Sequence, residues 1–241
     1  GQPYGVIVGK KLNRTEAGEV IYENGLPTFD DKVSVLGNGN YDFTLGFRNA
    51  FSYKNLSMSV LVDMKFGADV YSMSKMQSHV NGTSKETLEG REGWYASEQA
   101  RLSANVDAKD WTPTVGYVGK GVKAVTDADG NVSYVPNDVY VDPAKYWQAL
   151  QNSSPEPFIC DNSFVKLREV SLSYSCPKKW FVHTPIESVT LSAYGRNLLL
   201  IYSKVDNIDP ESSYNNGNGQ GFEYGSLPSR RTFGFGINVK F

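Results

Sequence analysis

The chain has 241 residues, a formal net charge of −2 and 13% aromatic residues, with 23 Gly and 15 Tyr. The slightly acidic balance implies no nucleic-acid partner, because such partners require a basic surface. The sequence contains no run of about eighteen apolar residues, which a transmembrane helix would need. The glycine and aromatic content suits either a membrane β-barrel with aromatic girdles or a soluble carbohydrate-binding β-sandwich. The sequence lacks an initial Met and starts in mid-pattern, so we expect a fragment or a processed product.

The first long alternating patterns predict a β-hairpin. Residues 1–40 before them are rich in Gly, Pro, Asn and charge and contain only short extended pieces. In 41–53 the apolar residues, beginning with Tyr41, share one face, and the pattern restarts in 55–66 after a tight turn. Side chains of a strand alternate between its two faces, so two such runs with almost no spacer indicate paired strands.

The segment 67–163 is too long for a plain connection and needs structure of its own. The run Thr83-Ser84-Lys85-Glu86 has a capping-box pattern that can open a helix. Asp142 followed by Pro143 is a strong N-cap pair and predicts a short helix over 143–151. The Asp-Gly sequence within 126–131, between two valine-containing stretches, predicts a hairpin turn.

The last third of the chain predicts three further strands. Their bounds are 164–175, 187–202 and 230–241. In 164–175 the apolar side chains share a face with Lys166 and Arg168, which indicates a bulge or an end that protrudes above a membrane. Cys160 and Cys176 flank this strand, so their Cα atoms would lie roughly 40 Å apart. A disulfide needs about 7 Å, and we expect two free thiols.

An apolar stripe opposite a small, polar one suits a wall between lipid and water, and strands of about 9–11 residues cross a bilayer at a tilt. We therefore predict an all-β fold of antiparallel up-and-down strands that form part of a large transmembrane β-barrel. Because long loops of such barrels face outward, the segments 1–40, 67–163 and 203–229 are predicted to be external and to contain short helices. The residues predicted to face lipid are Phe43, Leu45, Phe47, Leu56, Met58, Val60, Val62, Phe233, Phe235, Ile237, Val239 and Phe241.

Other motifs give weak evidence of chemistry. The acidic turn Asp127 to Asn131 suggests calcium, but its Gly is not at the position that an EF-hand requires, and a plain Asp-Gly turn is favoured. The glycine-rich run 217–221 lacks the strand and helix of a phosphate-binding loop. Two carboxylates can hydrolyse glycosides, and the acids that could do so here are Asp206, Asp209 and Glu211.

The histidines and the loop aromatics complete the set of candidates. His79 and His183 lack metal-ligand spacing. Aromatic faces in the long loop could stack on sugars, but loop aromatics more often anchor a small core; these residues are Trp94, Trp111, Tyr117, Tyr146 and Trp147. No catalytic, cofactor-binding or metal site is predicted, and the ligand-binding residues stay unassigned.

Ordered short motifs run through 36–66 and 160–241. They are Leu36-Gly37-Asn38, Asp42-Phe43, Phe51 to Asn55, 163–174, Tyr194 to Leu199, Asp206, Asp209 to Glu211, Pro228 to Arg231 and the terminal Phe241. In this order and spacing they resemble the SusC/RagA family of TonB-dependent outer-membrane transporters. Tyr41 stands where the family has Pro, the usual Gly of the acidic loop is absent, and 67–159 matches poorly.

The resemblance implies the C-terminal portion, residues 1–241 here, of a barrel of about 22 strands with an N-terminal plug. It implies a non-catalytic importer of glycan or peptide oligomers in the outer membrane of a Gram-negative bacterium. The implied partners are a SusD-like surface lipoprotein, outer-membrane lipid and, through the missing N-terminal part, the TonB complex.

Two alternatives stay open at this point. In a soluble β-sandwich that binds carbohydrate, the apolar faces would pack against each other in a closed core. A glycosidase would need two carboxylates that face each other across a cleft, and no such pair is evident from the sequence.

Overall fold

The computed structural model describes residues 1–212, 217 and 219–241. Within these residues the chain forms fourteen strands and three α-helices. In chain order they are β1 Val6–Leu12, β2 Ile21–Glu23, β3 Leu26–Pro27, β4 Phe29–Asn38, β5 Phe43–Tyr53, β6 Leu56–Phe66, β7 Asp69–Ser72, α1 Met73–Val80, α2 Arg91–Ser103, β8 Val122–Thr126, β9 Val132–Pro136, α3 Pro143–Ser153, β10 Ile159–Asp161, β11 Phe164–Ser175, β12 Ser188–Ser203, β13 Phe222–Glu223 and β14 Thr232–Lys240. None of the described helices is long and apolar enough to cross a bilayer.

The chain divides into two compact units. Unit 1 comprises Gly1–Gly37 and Tyr71–Ile159, and unit 2 comprises Asn38–Val70 and Cys160–Phe241. Unit 1 holds the three helices, a four-stranded sheet in the order β3-β2-β8-β9 and the β1-β4 pair. Its core is built mainly of aromatic side chains: Tyr22, Met76, Tyr117, Tyr146, Leu150 and Phe158.

Local sequence explains the helix starts of unit 1. Asp142 Oδ1 accepts a hydrogen bond from the Ala144 amide at 2.9 Å, and Pro143 occupies the first turn, where its missing N–H has no cost. The Ser72 hydroxyl accepts from the Lys75 amide at 3.0 Å and caps α1. Helix α2 instead follows Gly90, whose φ of 74° is left-handed and favours glycine.

Unit 2 is built on one antiparallel sheet in the order β14-β12-β11-β6-β5. Each strand therefore lies beside the next long strand along the chain, as in an up-and-down meander. Lys54 adopts a φ of 54° in the two-residue turn between Tyr53 and Leu56, which pair directly. A smaller sheet joins β10, β7 and β13.

Three irregularities interrupt the pairing of β11. Arg168 is an extra residue relative to β6, since Leu167 pairs with Val62 and the next pair is Glu169 with Leu61. Strand β12 carries an extra residue opposite the same point, and it carries a second extra residue between the partners of Val165 and Lys166. Each bulge exchanges the faces of the residues that follow, so the charged and apolar side chains of β11 separate.

The long strands agree with the predicted alternation, with bounds within two residues of those expected, and the content of mostly strands and few helices confirms the all-β class. The predicted hairpin around 126–131 forms between β8 and β9, and the predicted helix at 143 is present as α3. Cys160 and Cys176 are not joined in a disulfide.

Several predictions were wrong in detail. Residues 1–40 contain four strands, and helices α1 and α2 were not foreseen. The capping-box run opens a 3₁₀ turn at Lys85–Leu88 without a side-chain cap from Ser84. Tyr41 precedes β5, and its ring packs edge-on against the fully buried Phe164 at 6.3 Å, so it does not continue the apolar stripe.

Candidate functional site

The apolar residues of the five long strands fall into register on one face of the sheet of unit 2. Strand pairing aligns them in tiers across the sheet, because directly paired residues point the same way. The tiers are Phe47-Val62-Leu167, Val60-Val170-Gly195-Phe233, Phe51-Met58-Leu172-Ala193-Phe235 and Tyr53-Leu56-Tyr174-Leu191-Ile237. This face, defined by these tiers together with Phe43, Leu45 and Val239, is called the apolar face below.

The opposite face carries small and polar side chains. Its lower tiers are Ala50-Ser59-Ser171-Tyr194-Gly234 and Ser52-Ser57-Ser173-Ser192-Gly236. The hydroxyls of Ser52 and Ser57 are 3.0 Å apart and hydrogen-bonded. The sheet is therefore two-sided, as the sequence predicted.

The apolar face is exposed to a degree that is unusual for a water-soluble protein. Phe47 is 57% exposed and Phe235 is 86% exposed. The apolar patches of soluble monomers rarely exceed a few hundred Å². Among the residues predicted to face lipid, Val60 and Val62 are half-buried, and Phe241 follows the end of β14. Contact of these residues with lipid stays a prediction.

A cluster of charges lies near the ends of β11 and β6 and reaches into the segment after β12. Lys166 is only 3% exposed, and its ammonium donates to Glu211 at 2.6 Å, to Ser229 at 2.7 Å and to Asp209 at 3.3 Å. Arg168 is the second cation. Its Nη2 donates to Glu211 at 2.6 Å and its Nε to Asp63 at 2.6 Å. We call Asp63, Lys166, Arg168, Asp209 and Glu211 the charge cluster.

The bulge at Arg168 explains how a charged strand residue reaches these partners. Bulges re-aim side chains, and here the guanidinium also donates to Asn197 Oδ1 at 2.7 Å. Asn197 has a φ of 52° and donates in turn to the Arg230 carbonyl at 3.0 Å. The cluster thereby ties the segment after β12 and the start of β14 to the middle of the sheet.

The electrostatics of the cluster favour ionised acids. Burial alone would raise the pKa of Glu211, but hydrogen bonds from Arg168 and Lys166 hold it below its ordinary value. Asp209 behaves alike: burial opposes ionisation, while hydrogen bonds from Ser229 and two backbone amides lower its pKa. Burial and the nearby Glu211 charge raise the pKa of Tyr41 to about 12. Each acid is already bound to cations, so the cluster is an anchor and offers no general acid.

The acids singled out from the sequence therefore separate. Asp209 and Glu211 join the charge cluster, whereas Asp206 is exposed and takes no part in it. Sequence reasoning missed Lys166 and Arg168 as their partners, although the two charges inside an otherwise apolar stripe were the available signal.

The other candidates have structural roles in unit 1. Asp127 Oδ1 accepts from the amides of Asp129 and Asn131 within the hairpin turn, which is the plain Asp-Gly turn that the sequence favoured. His79 is buried between the Lys75 carbonyl and Glu86 Oε2, at 2.8 and 2.7 Å. Within the described residues, no group of three or more His, Cys, Asp and Glu side chains could hold a metal ion.

The loop aromatics divide between the core and a pocket. Tyr117 and Tyr146 belong to the core, with ring centroids 4.5 Å apart, and the Trp111 indole donates to Ser97 at 3.1 Å. Trp94 and Trp147 line a cavity of about 310 Å³. The glycine-rich run considered for phosphate includes residue 218, which lies outside the described residues.

Comparison with known proteins shows what the chain resembles. No protein-family model matches the chain. The chain is 27% identical over 222 residues to TonB-dependent receptor P3 of Formosa agariphila, which covers 90% of this chain and 18% of the receptor. It is 30% identical over 243 residues to TonB-dependent receptor P26 of the same organism, covering 98% of this chain and 20% of the receptor. The chain thus spans about a fifth of the length of these curated relatives.

Solved structures give the same result at the level of the fold. The RagAB peptide transporter superposes with a TM-score of 0.52 at 14% identity, covering 98% of this chain and 23% of that chain. The RagAB peptide importer in its open-open state gives a TM-score of 0.58 at 15% identity, covering 98% and 22%. Both curated relatives are TonB-dependent receptors. The predicted resemblance is confirmed: the chain resembles a segment of a SusC/RagA-type TonB-dependent transporter.

Proposed function

We propose that the chain is the C-terminal part of an outer-membrane β-barrel whose apolar face touches lipid, in a protein that imports nutrient oligomers. The observation that carries the proposal is the alignment of five strands into one exposed apolar face opposite a polar one. A water-soluble sheet would need a second layer to cover that face, whereas a barrel wall exposes it to acyl chains.

The connections support a definite orientation. The turn at Lys54 and the connection 176–187 lie at one end of the sheet and are short, whereas 67–163 and 204–231 lie at the other end and are long. In outer-membrane barrels the short turns face the periplasm. We therefore infer that the segments 1–40, 67–163 and 203–229 are external, and that the charge cluster anchors the segment after β12 near the outer rim.

The partners and cargo follow from the class. A TonB-dependent receptor draws energy from the TonB complex, and we propose this for the protein to which the chain belongs. A SusD-like lipoprotein is the proposed surface partner, and oligosaccharides or peptides are the proposed cargo; the solved neighbours are named as peptide transporters. We propose no catalytic role, since the carboxylates of the charge cluster are already occupied by Lys166 and Arg168.

A soluble carbohydrate-binding β-sandwich remains the second candidate. It is disfavoured by Phe235 and Ile237, which are 86% and 72% exposed where a sandwich would bury them.

A pair of substitutions on one strand tests the proposal in the full-length protein. Val60, near the middle of β6, lies on the apolar face and its neighbour Ser59 on the polar face. A lysine at the lipid face near the midplane costs about 2–4 kcal/mol, so Val60→Lys should sharply reduce the amount assembled in the outer membrane. Ser59→Lys should assemble normally.

Fractionation and uptake complete the test. The wild-type protein should be recovered with the outer membrane, and growth on its cargo should require TonB. Recovery in the soluble periplasm, or equal effects of the two lysines, would contradict the proposal.

A further inference from the structure

Unit 1 contains a cavity that the proposed function does not use. Its volume is about 310 Å³, at the lower end of the range of about 300–1,000 Å³ that small-molecule sites occupy. Its lining runs from exposed residues, such as Asn81 and Arg91, to the buried His79 and Pro143. The cavity therefore reaches solvent and has room for one small ring-shaped molecule.

Two half-buried tryptophans form the aromatic part of the lining. Trp147, on α3, is packed among other rings: its ring centroid lies 4.5 Å from that of His79 and 5.1 Å from that of Tyr146. Trp94, on α2, is seated against the backbone of Gly116, where a Cβ would lie 3.0 Å from Trp94 Cε3. Helices α2 and α3 thus contribute two aromatic rings whose positions are fixed by packing.

Three polar side chains of the lining keep free hydrogen-bonding capacity. Asp142 Oδ1 accepts from the Ala144 amide, and its Oδ2 has no partner in the part of the chain that the structure describes. Arg91 donates to two neighbours through Nη2 alone, at 2.7 and 2.8 Å, which leaves Nη1 and Nε as donors among the described residues. Asn81 uses only its Oδ1 there, so its amide nitrogen is a further donor. The charges of Arg91 and Asp142 balance each other.

We propose that this cavity binds one uncharged pyranose ring of an oligosaccharide. The C–H face of a sugar ring packs against an aromatic side chain, and its hydroxyls both donate and accept, so one ring can satisfy a carboxylate and nitrogen donors together. The role of the site rests on the proposed function, since the cavity lies in the segment 67–163 that we infer to be external. The site holds cargo outside the membrane before import, and it favours oligosaccharide over peptide as that cargo.

The chemistry of the lining selects this occupant over other small groups. An apolar peptide side chain would fill the space between the tryptophans but would leave the free atoms of Asp142, Arg91 and Asn81 without partners. An anionic sugar would meet the like charge of Asp142, and a cationic one would meet that of Arg91. His79 adds no free group, because both of its ring nitrogens are hydrogen-bonded.

The experiment uses the full-length protein in detergent and measures dissociation constants by saturation-transfer NMR of the ligand. The neutral probes are the methyl glycosides of glucose, galactose, mannose and xylose. The comparison probes are methyl glucuronide, the methyl glycoside of glucosamine, and N-acetylphenylalanine amide. The test variants are Trp94→Ala, Trp94→Phe and Asp142→Asn, the last of which keeps a side chain that can cap α3. The matched control is Tyr95→Ala, which removes an exposed aromatic side chain of the same helix that does not line the cavity.

We expect at least one neutral glycoside to bind more tightly than every comparison probe. Trp94→Ala should weaken the binding of that glycoside about tenfold, as for the loss of an aromatic contact, whereas Trp94→Phe should retain most of the affinity. Asp142→Asn should weaken it about fivefold, because a neutral acceptor forms a weaker hydrogen bond than a carboxylate. The control Tyr95→Ala should bind like the wild type.

Three results would overturn the inference: no binding of any neutral glycoside, equal or tighter binding of a comparison probe, or test variants that bind no more weakly than the control. Any of these, in a protein that still assembles in the outer membrane and supports TonB-dependent growth, would reject the sugar site and leave the proposed function standing. Loss of outer-membrane assembly in the wild type would reject the proposed function itself.

Discussion

The charge cluster gives the most direct test of how the segment after β12 is held. We consider Glu211→Gln, which keeps the shape of the side chain and removes its charge. Glu211 accepts hydrogen bonds from Lys166 Nζ at 2.6 Å and from Arg168 Nη1 and Nη2 at 2.9 and 2.6 Å. The amide would face two cations and could accept through only one atom.

The expected cost follows from the burial of the pair. Removing one partner of a buried ion pair costs about 3–5 kcal/mol. The loss here should be smaller, about 2–3 kcal/mol, since Lys166 keeps Asp209, Arg168 keeps Asp63, and the Arg168 side chain is 22% exposed. This energy should appear as local opening, and it corresponds to an opening equilibrium raised about 30- to 140-fold.

Hydrogen exchange of the full-length protein measures that opening. The Ser212 amide donates to the Asp209 carbonyl and the Ser229 amide to Asp209 Oδ2, both at 2.8 Å, so peptides that contain these amides report on the anchor. Asp206→Asn is the matched control, because it removes an exposed acid of the same segment. Unchanged protection in Glu211→Gln, or equal loss in the control, would refute the reasoning.

Three further predictions concern pH, a helix cap and a core glycine. Folding lowers the pKa of Glu211, so its contribution to the stability of the anchor is fully present above the ordinary value of 4.5 and is lost as the pH falls through the lowered value. Protection of the same peptides from hydrogen exchange should therefore decline below about pH 4.5, and the decline should be smaller in Glu211→Gln. Asp142→Ala should destabilise helix α3 by about 1 kcal/mol and Asp142→Asn should not, measured by exchange of the helix amides; equal effects would exclude a capping role. Gly119→Ala should lower the free energy of unfolding of unit 1 by about 1–3 kcal/mol, because its Cβ would contact the buried Tyr22 ring; an unchanged thermal midpoint would contradict this.

The two-sided sheet could be predicted because apolar and polar residues alternate with a period of two in the sequence itself. Strand β14 alternates without a break, and in β6 only Leu61 departs from the alternation; the bounds of both strands lie within two residues of the prediction. Helix α3 was equally legible, since Asp142 and Pro143 are local signals.

The elements that were missed lack local signals. Helix α2 follows Gly90 and has no side-chain cap, so the sequence contains no capping residue that would predict its start. Strands β2 and β3 are three and two residues long. They pair with each other, and β2 also pairs with β8, about 100 residues further along the chain. Long-range pairing of this kind leaves no periodic pattern.

The charge cluster shows the same limit at the level of a site. Lys166 and Arg168 are visible in the sequence as exceptions to alternation, but Asp209 and Glu211 come 43 to 45 positions later and Asp63 comes 105 positions earlier. Nothing within a short window connects them, and only the fold brings the five charges together.

The bulge at Arg168 has a consequence for insertions and deletions. Because Arg168 has no partner on β6, the alternation of side chains shifts by one position at this residue. Val165 and Leu167 therefore face the same way as Val170, although each is an odd number of positions away from it. Deleting Arg168 would restore continuous pairing with β6 and leave the other residues of β11 on their present faces, so only the guanidinium would be lost. Inserting one residue beside the bulge would instead shift the preceding residues by one register position and turn Lys166 toward the hydrocarbon. An insertion here is therefore more damaging than most substitutions, whereas insertions in the long connections do not change which face a strand residue occupies.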